Sequence, residues 1–122
     1  PPDVLNDQTL SILVVDDDPA NCDALSNYLQ RLGHSVKTAS TPESALVIQH
    51  SFDVALVDFN LGYGIDGIEL TQRLLDTHPK LHVALVTAAR PEDYEARASA
   101  IGIPVFRKPL AIDALNRWLA NL

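Results

Sequence analysis

Residues 11–19 read S-I-L-V-V-D-D-D-P, an apolar run from Ile12 to Val15 that stops abruptly at Asp16, Asp17 and Asp18 and gives way to Pro19. A short β-branched run with no polar residue inside it is the profile of a strand buried on both faces, as in parallel sheets covered by helices. Asp18 and Pro19 then form a helix start. The carboxylate caps free backbone donors, and proline fits the first helical position because its missing N–H would have no partner there. Cys22, Leu25, Leu29 and Leu32 follow at helical spacing, and Gly33 supplies the stop.

The same grammar repeats outward from this stretch. Val36 to Ala39 predicts a second strand, after which Thr41 and Pro42 open a helix through about Gln49. Val54 to Val57 predicts a third strand, ending in Asp58 and followed by a Gly-rich loop from Gly62 to Gly64 and a helix from about Gly67 to Thr77. Val83 to Val86 predicts a fourth strand ending in Thr87, then an Ala-rich, weakly amphipathic helix over Glu92 to Ile101. Ile103 to Phe106 predicts a fifth strand just before Lys108 and Pro109, and the last helix runs from about Ala111 with Ile112, Leu115, Leu119 and Leu122 along one side. Short apolar strands alternating with helices require repeated βαβ crossovers, hence an α/β fold with one parallel sheet and helices on both faces. Residues 1–10 combine two prolines with polar residues and no period, and read as the end of a linker.

Composition agrees with one compact domain. The chain has 122 residues, 47% hydrophobic and 20% charged, which excludes a disordered or fibrous class. Its longest apolar runs, such as Val54 to Val57, fall far short of the roughly 20 residues of a membrane span. No export signal is visible, so the expected setting is cytoplasmic, with no membrane contact by this domain. A lone Cys22 cannot form an internal disulfide, and its place on the apolar side of a helix marks it as a core thiol rather than a nucleophile. A net charge of −7 repels phosphate backbones, so this domain is not expected to bind nucleic acid.

Ligands of open α/β sheets collect outside the carboxyl ends of the strands. Asp16, Asp17, Asp58, Thr87 and Lys108 all fall at such ends, delivered by four separate segments. Any one of them alone could be a cap or a solvated loop residue, and Asp18 is read that way. Their convergence is what points to chemistry. Carboxylates held together repel one another, and a hard divalent cation with oxygen ligands relieves this, magnesium first and manganese as the alternative. A carboxylate beside such an ion can act as a nucleophile toward a phosphoryl group and form an acyl phosphate, with a Lys and a Thr hydroxyl stabilising the phosphoryl oxygens.

The segments ILVVDDDP, VALVDFN, DGIEL, VALVTA and FRKPL, in this order over residues 11–122, resemble the receiver domain of two-component response regulators. The resemblance implies a flavodoxin-like, doubly wound (βα)5 domain with strand order 2-1-3-4-5. It implies Asp58 as the phosphoacceptor and Asp16 and Asp17 as the acidic pair at the metal, Asp17 touching the ion directly and Asp16 through water. The backbone carbonyl of Asn60 would complete the metal set. Thr87 would be the switch hydroxyl that turns toward the phosphoryl group and Lys108 the ion-pair partner of that group, with a cis bond before Pro109. The implied partner is a histidine kinase or a histidine phosphotransfer domain, and the implied event a population shift on self-catalysed phosphorylation. The fourth helix and fifth strand should then change. Two departures stand out. Val105 occupies a position usually aromatic and coupled to the threonine, with Phe106 at the wrong alternation to replace it. Gly62 stands where Pro is usual and Asp66 comes one residue late, so the loop of Gly62, Tyr63 and Gly64 is expected to be longer and more mobile.

The remaining candidates read blandly. His34, His50, His78 and His82 are scattered without metal or phosphohistidine spacing and are read as solvated or capping residues. Trp118 belongs to the core face of the last helix, and Tyr28 and Tyr63 are read as surface residues. The setting expected from the resemblance is the carboxyl-terminal receiver of a hybrid sensor histidine kinase, with a stand-alone receiver or one cut from a DNA-binding regulator as alternatives. Two other functions compete: a magnesium-dependent phosphatase or phosphotransferase with an aspartyl-phosphate intermediate, and a receiver that only binds proteins. The first lacks the acid it would need two residues after the nucleophile, where Asn60 stands.

Overall fold

The computed structural model describes residues 9–62 and 64–122. Most of the expected linker, and Tyr63 in the Gly-rich loop, therefore lie outside the described residues. Five strands alternate with five helices: β1 Ser11–Val15, α1 Pro19–Arg31, β2 Ser35–Ala39, α2 Pro42–Leu46, β3 Val54–Asp58, α3 Gly67–Thr77, β4 His82–Thr87, α4 Pro91–Ile101, β5 Val105–Arg107 and α5 Ile112–Ala120. All pairings are parallel and the sheet order is β2-β1-β3-β4-β5, the order the family resemblance implies.

Strand alternation divides the core into layers. Ile12, Val14, Val54, Leu56, Ala84 and Val86 face α1 and α5, meeting Cys22, Leu29, Leu115 and Leu119. Leu13, Val15, Ala55, Val57 and Val83 face the other way onto Ala45, Leu70 and Leu74 of α2 and α3. A third cluster joins Leu85 and Phe59 to Ile68 of α3 and to Tyr94 and Ala98 of α4. The all-apolar stretches of β1 and β3 are thus consumed on both sides, as the opening run of the sequence predicts. Cys22 is buried in the first layer, where burial pushes its thiol pKa up and keeps it a neutral core group.

Three elements differ from their expected bounds by two residues or more at one end. The second helix ends at Leu46 rather than Gln49: Val47 is β-branched and 73% exposed, and Ile48 packs on the core from beyond the helix end. Strand β5 begins at Val105 rather than Ile103. The Ile103 N–H is already used on the Ala98 carbonyl, where Gly102 at φ +73° closes α4, and Pro104 has no N–H to give a ladder. Leu122 is exposed rather than part of the apolar side of α5, while Trp118 packs edge-on against Phe106, centroids 5.8 Å apart.

Candidate functional site

Register brings the acids together. Val15 pairs with Val57, so Asp16 and Asp58 leave neighbouring strands at the same level. Both are nearly buried, at 7% and 8% exposure, whereas Asp17 points outward. One oxygen from each of Asp16, Asp17 and Asp58 can be chosen so that all lie within 4.8 Å of one another. From across the sheet Lys108 spans the buried pair, its Nζ donating to Asp16 Oδ2 at 3.0 Å and to Asp58 Oδ2 at 3.1 Å. The Lys108–Pro109 peptide bond is cis, and the Lys108 N–H donates to the Thr87 carbonyl at 2.9 Å.

Backbone and local turns hold the carboxylates still. Asp16 Oδ1 accepts from the Asp18 N–H at 2.9 Å, and Asp58 Oδ1 from the Asn60 N–H at 3.3 Å. Asp18 itself caps α1 through the Ala20 N–H, which is the structural role expected of it. Behind the Asp58 end of β3, Gly67 begins α3 in direct contact with the chain: a Cβ there would run into the Asp58 carbonyl oxygen and sit 2.8 Å from Phe59 Cα. Its own N–H donates to the Phe59 carbonyl at 2.8 Å. Gly62, at φ +88°, lies over the exposed acid, with Asp17 Oδ2 3.6 Å from where a Cβ would be.

Burial pushes the Asp58 carboxyl pKa up; the Lys108 bond and charge oppose this, Asp16 adds to it, and the net is a raised value. Burial works against the Lys108 charge as well, but the two carboxylates outweigh it and hold the ammonium above the ordinary lysine range. Three carboxylates against one ammonium leave the cluster short of positive charge. The donors are all oxygen, held part-buried with no nitrogen or sulfur among them, which is the chemistry of a hard cation such as magnesium rather than zinc or copper. The residues present therefore fit the metal that the resemblance implies.

Thr87 is fully buried and its Oγ1 accepts from the Ala89 N–H at 2.9 Å. Beside the cluster a cavity of about 310 Å³ runs between α1 and α5, lined by Leu25, Tyr28, Leu56, Asp58, Lys108 and Ile112. Tyr28 spans its far side, its hydroxyl accepting from Asn116 Nδ2 at 2.7 Å. The histidines stay apart from this end: His34 Nδ1 accepts from the Leu10 N–H, and His50 meets Ser11 Oγ.

Sequence reading missed the polar residues of the α4 side. Arg97 forms a two-pronged ion pair with Asp66, the cap of α3, at 2.8 and 3.1 Å. Arg107 bonds the Tyr94 hydroxyl at 2.7 Å and the Ala89 carbonyl. The one available signal for Tyr94 was its spacing with Ala98 and Ile101, which sets the larger apolar residues of this Ala-rich helix in one stripe.

Comparison with known proteins agrees with this geometry. Residues 12–119 match the family model described as the response regulator receiver domain. The chain is 36% identical over 114 residues to the sensor histidine kinase RcsC of Salmonella typhi, covering 91% of this chain and 12% of that protein. It is 31% identical over 118 residues to the sensor protein EvgS of Escherichia coli, covering 94% of this chain and 10% of that protein. Among solved structures, the BeF3-activated receiver domain of DrrB superimposes with a TM-score of 0.82 at 27% identity, covering 93% of this chain and 96% of that one.

Proposed function

This chain belongs to the response regulator receiver domain family, and from that premise we propose that it accepts a phosphoryl group from a phosphohistidine donor onto Asp58. The observation that carries the reading is the Lys108 ammonium bridging Asp16 and Asp58 at 3.0 and 3.1 Å, with Asp17 completing a three-carboxylate cluster. An Asp58 oxygen attacks phosphorus, the P–N bond to the donor imidazole breaks, and the imidazole keeps the electron pair and takes up a proton. Lys108 is within reach of the acceptor carboxylate and offsets the charge that gathers on the phosphoryl oxygens. Asp16, Asp17, Asp58 and the Asn60 carbonyl would hold magnesium, or manganese in its place, which when bound supplies the further positive charge that three carboxylates and a phosphoryl group require.

Thr87 then donates its hydroxyl to the phosphoryl group, and the loop after β4 follows it. Asn60, where a phosphatase would need an acid, favours an acyl phosphate that persists as a signal over one that turns over. The cleft between α1 and α5 reaches Asp58 and suits the approach of a histidine kinase or histidine phosphotransfer domain. Residues 11–122 form the receiver body in this reading and residues 1–10 the end of a linker. Its setting is the receiver of a hybrid sensor histidine kinase in the cytoplasm. The likeness to RcsC and EvgS supports that setting, although the chain spans only 12% and 10% of their lengths. Among the described residues no helix is long and apolar enough to cross a membrane.

Intact mass after incubation with a small-molecule phosphodonor, with and without magnesium, tests the reading. One phosphoryl group should add to the wild type only when magnesium is present, and none to Asp58→Asn. Labelling of Asp58→Asn at the wild-type level would move the acceptor elsewhere.

A further inference from the structure

The corner between β4, α4 and β5 holds a second polar network, separate from the carboxylate cluster. It starts at the buried Thr87 hydroxyl, which accepts from the Ala89 N–H at 2.9 Å. The Ala89 carbonyl accepts in turn from Arg107 Nη1, and the same nitrogen donates to the Tyr94 hydroxyl at 2.7 Å. The guanidinium also lies against the Tyr94 ring, 5.8 Å from its centroid. Tyr94 is only 3% exposed and packs on Phe59, the residue after Asp58, with ring centroids 5.8 Å apart.

Ladder register places the first link of this chain of contacts, and packing of α4 supplies the rest. Thr87 pairs with Arg107, so the arginine side chain leaves β5 at the level where the loop from Thr87 to Arg90 leaves β4. Tyr94, one turn into α4, presents its hydroxyl at the same place. A planar, permanently charged guanidinium can hold a carbonyl and a hydroxyl together, which a lysine ammonium on a flexible stem does less well. Val105 has no polar group and packs into the apolar cluster with Phe59 and Tyr94, so it takes no part. Arg107 is exposed on its outer side, so water can replace its bonds when the loop moves.

We propose that Arg107 and Tyr94 are positioning residues for Thr87: they tie the Ala89 carbonyl to α4, fix the hydroxyl before a phosphoryl group arrives, and carry displacement of the loop to α4 afterwards. The second half of this rests on Thr87 and Asp58 acting as proposed above. The first half does not, since it concerns the chain without phosphoryl.

The test uses the whole chain as wild type, Tyr94→Phe, Arg107→Lys and the double variant. Amide hydrogen exchange is followed first without phosphodonor. The Ala89 amide should exchange about tenfold faster in each single variant, while the Leu56 amide in the centre of β3 keeps its wild-type rate. Because the two residues form one tie, the double variant should be no faster than the faster single. With beryllofluoride and magnesium, amide shift changes over residues 92–101 should shrink about fivefold in the variants relative to those over residues 58–60. Unchanged Ala89 exchange in both single variants overturns the tie, whatever Asp58 does. Full-sized changes over residues 92–101 in both variants overturn its role in transmission. A wild type that gains no phosphoryl mass, in a set where the variants still speed Ala89 exchange, sinks the acceptor role of Asp58 and upholds the tie.

Discussion

The carboxyl ends of β1 and β3 and the corner between β4, α4 and β5 both hold polar side chains still at a strand end, but by different means. At the first, the residue that does the work follows directly on a buried apolar run, and parallel register alone aligns Asp16 with Asp58. At the second, Thr87 is aligned in the same way, yet the groups that hold its loop come from a helix and from a strand joined later in the chain. Strand-end residues inherit their position from the sheet. Residues that restrain a loop inherit theirs from packing between elements, which no local pattern encodes.

The largest effect should come from the helix start packed against the carboxyl end of β3, where there is no spare room. Gly67→Ala puts a methyl group into the backbone of Asp58 and Phe59, where nothing flexible can yield, and should destabilise the fold by ~3 kcal/mol. Chemical denaturation measures this directly. A loss no greater than that of an alanine in the exposed part of α3 would mean that β3 is not locked against the helix start.

Next in size is Lys108→Ala. Removing the ammonium leaves Asp16 and Asp58 facing each other without a counter-charge, at a cost of ~2 kcal/mol in metal-free buffer, less than for a fully enclosed pair because Lys108 is 23% exposed. Lysine and a divalent cation answer the same carboxylates, so magnesium should raise the melting temperature of this variant more than that of the wild type. An equal rise in both would separate the lysine from the cation site. The phosphorylation response should weaken even though metal binding persists.

Asp58→Asn should act in the opposite direction. Burial raises the Asp58 pKa, so the folded chain holds this carboxyl's proton more tightly than the unfolded chain does, and the ionised form works against folding. Stability should therefore fall as pH rises through the folded-state pKa. A neutral amide should add ~1 kcal/mol at neutral pH without metal and cancel most of the magnesium stabilisation. Thermal melts with and without magnesium check both signs, and a destabilised metal-free variant would contradict them.

These outcomes bear on how much was legible beforehand. The runs at Ile12 and Val54 read as doubly buried strands, and the acids after them converge on one sheet edge, so the α/β class and the cluster were legible in the pattern, while the strand order came from the family resemblance. The end of α2 was misplaced because Val47 and Ile48 are apolar enough to extend a helical pattern, whereas Val47 is left exposed and Ile48 reaches the core from beyond the helix end. Tyr94, Arg97 and Arg107 escaped for a related reason. A tyrosine and two arginines on a polar helix and at a strand end look like solvated residues until the helix is docked, and it is docking that turns them into partners for Phe59, Asp66 and Ala89.

The smallest expected effect belongs to one of those missed pairs and reads out through pH. Burial pushes the Asp66 carboxyl up, but the Arg97 bonds together with the Glu69 and Ile68 N–H groups outweigh it, so its pKa stands below the ordinary carboxylate range. A carboxylate depressed in the folded state contributes stability that is complete above its unfolded pKa and is lost as pH falls through its folded pKa. Arg97→Gln removes the charge from Asp66 and the guanidinium carbon from above the Phe59 ring, 6.0 Å from its centroid, at a cost of ~0.5 kcal/mol near neutrality, because both partners of the ion pair are substantially exposed. Denaturation from about pH 6 to about pH 3 should then show wild type and variant converging on acidification, since protonated Asp66 no longer distinguishes the two side chains. A gap that stays constant across that range would assign the Arg97 contribution to packing on Phe59, and the tie between α3 and α4 would be apolar rather than ionic.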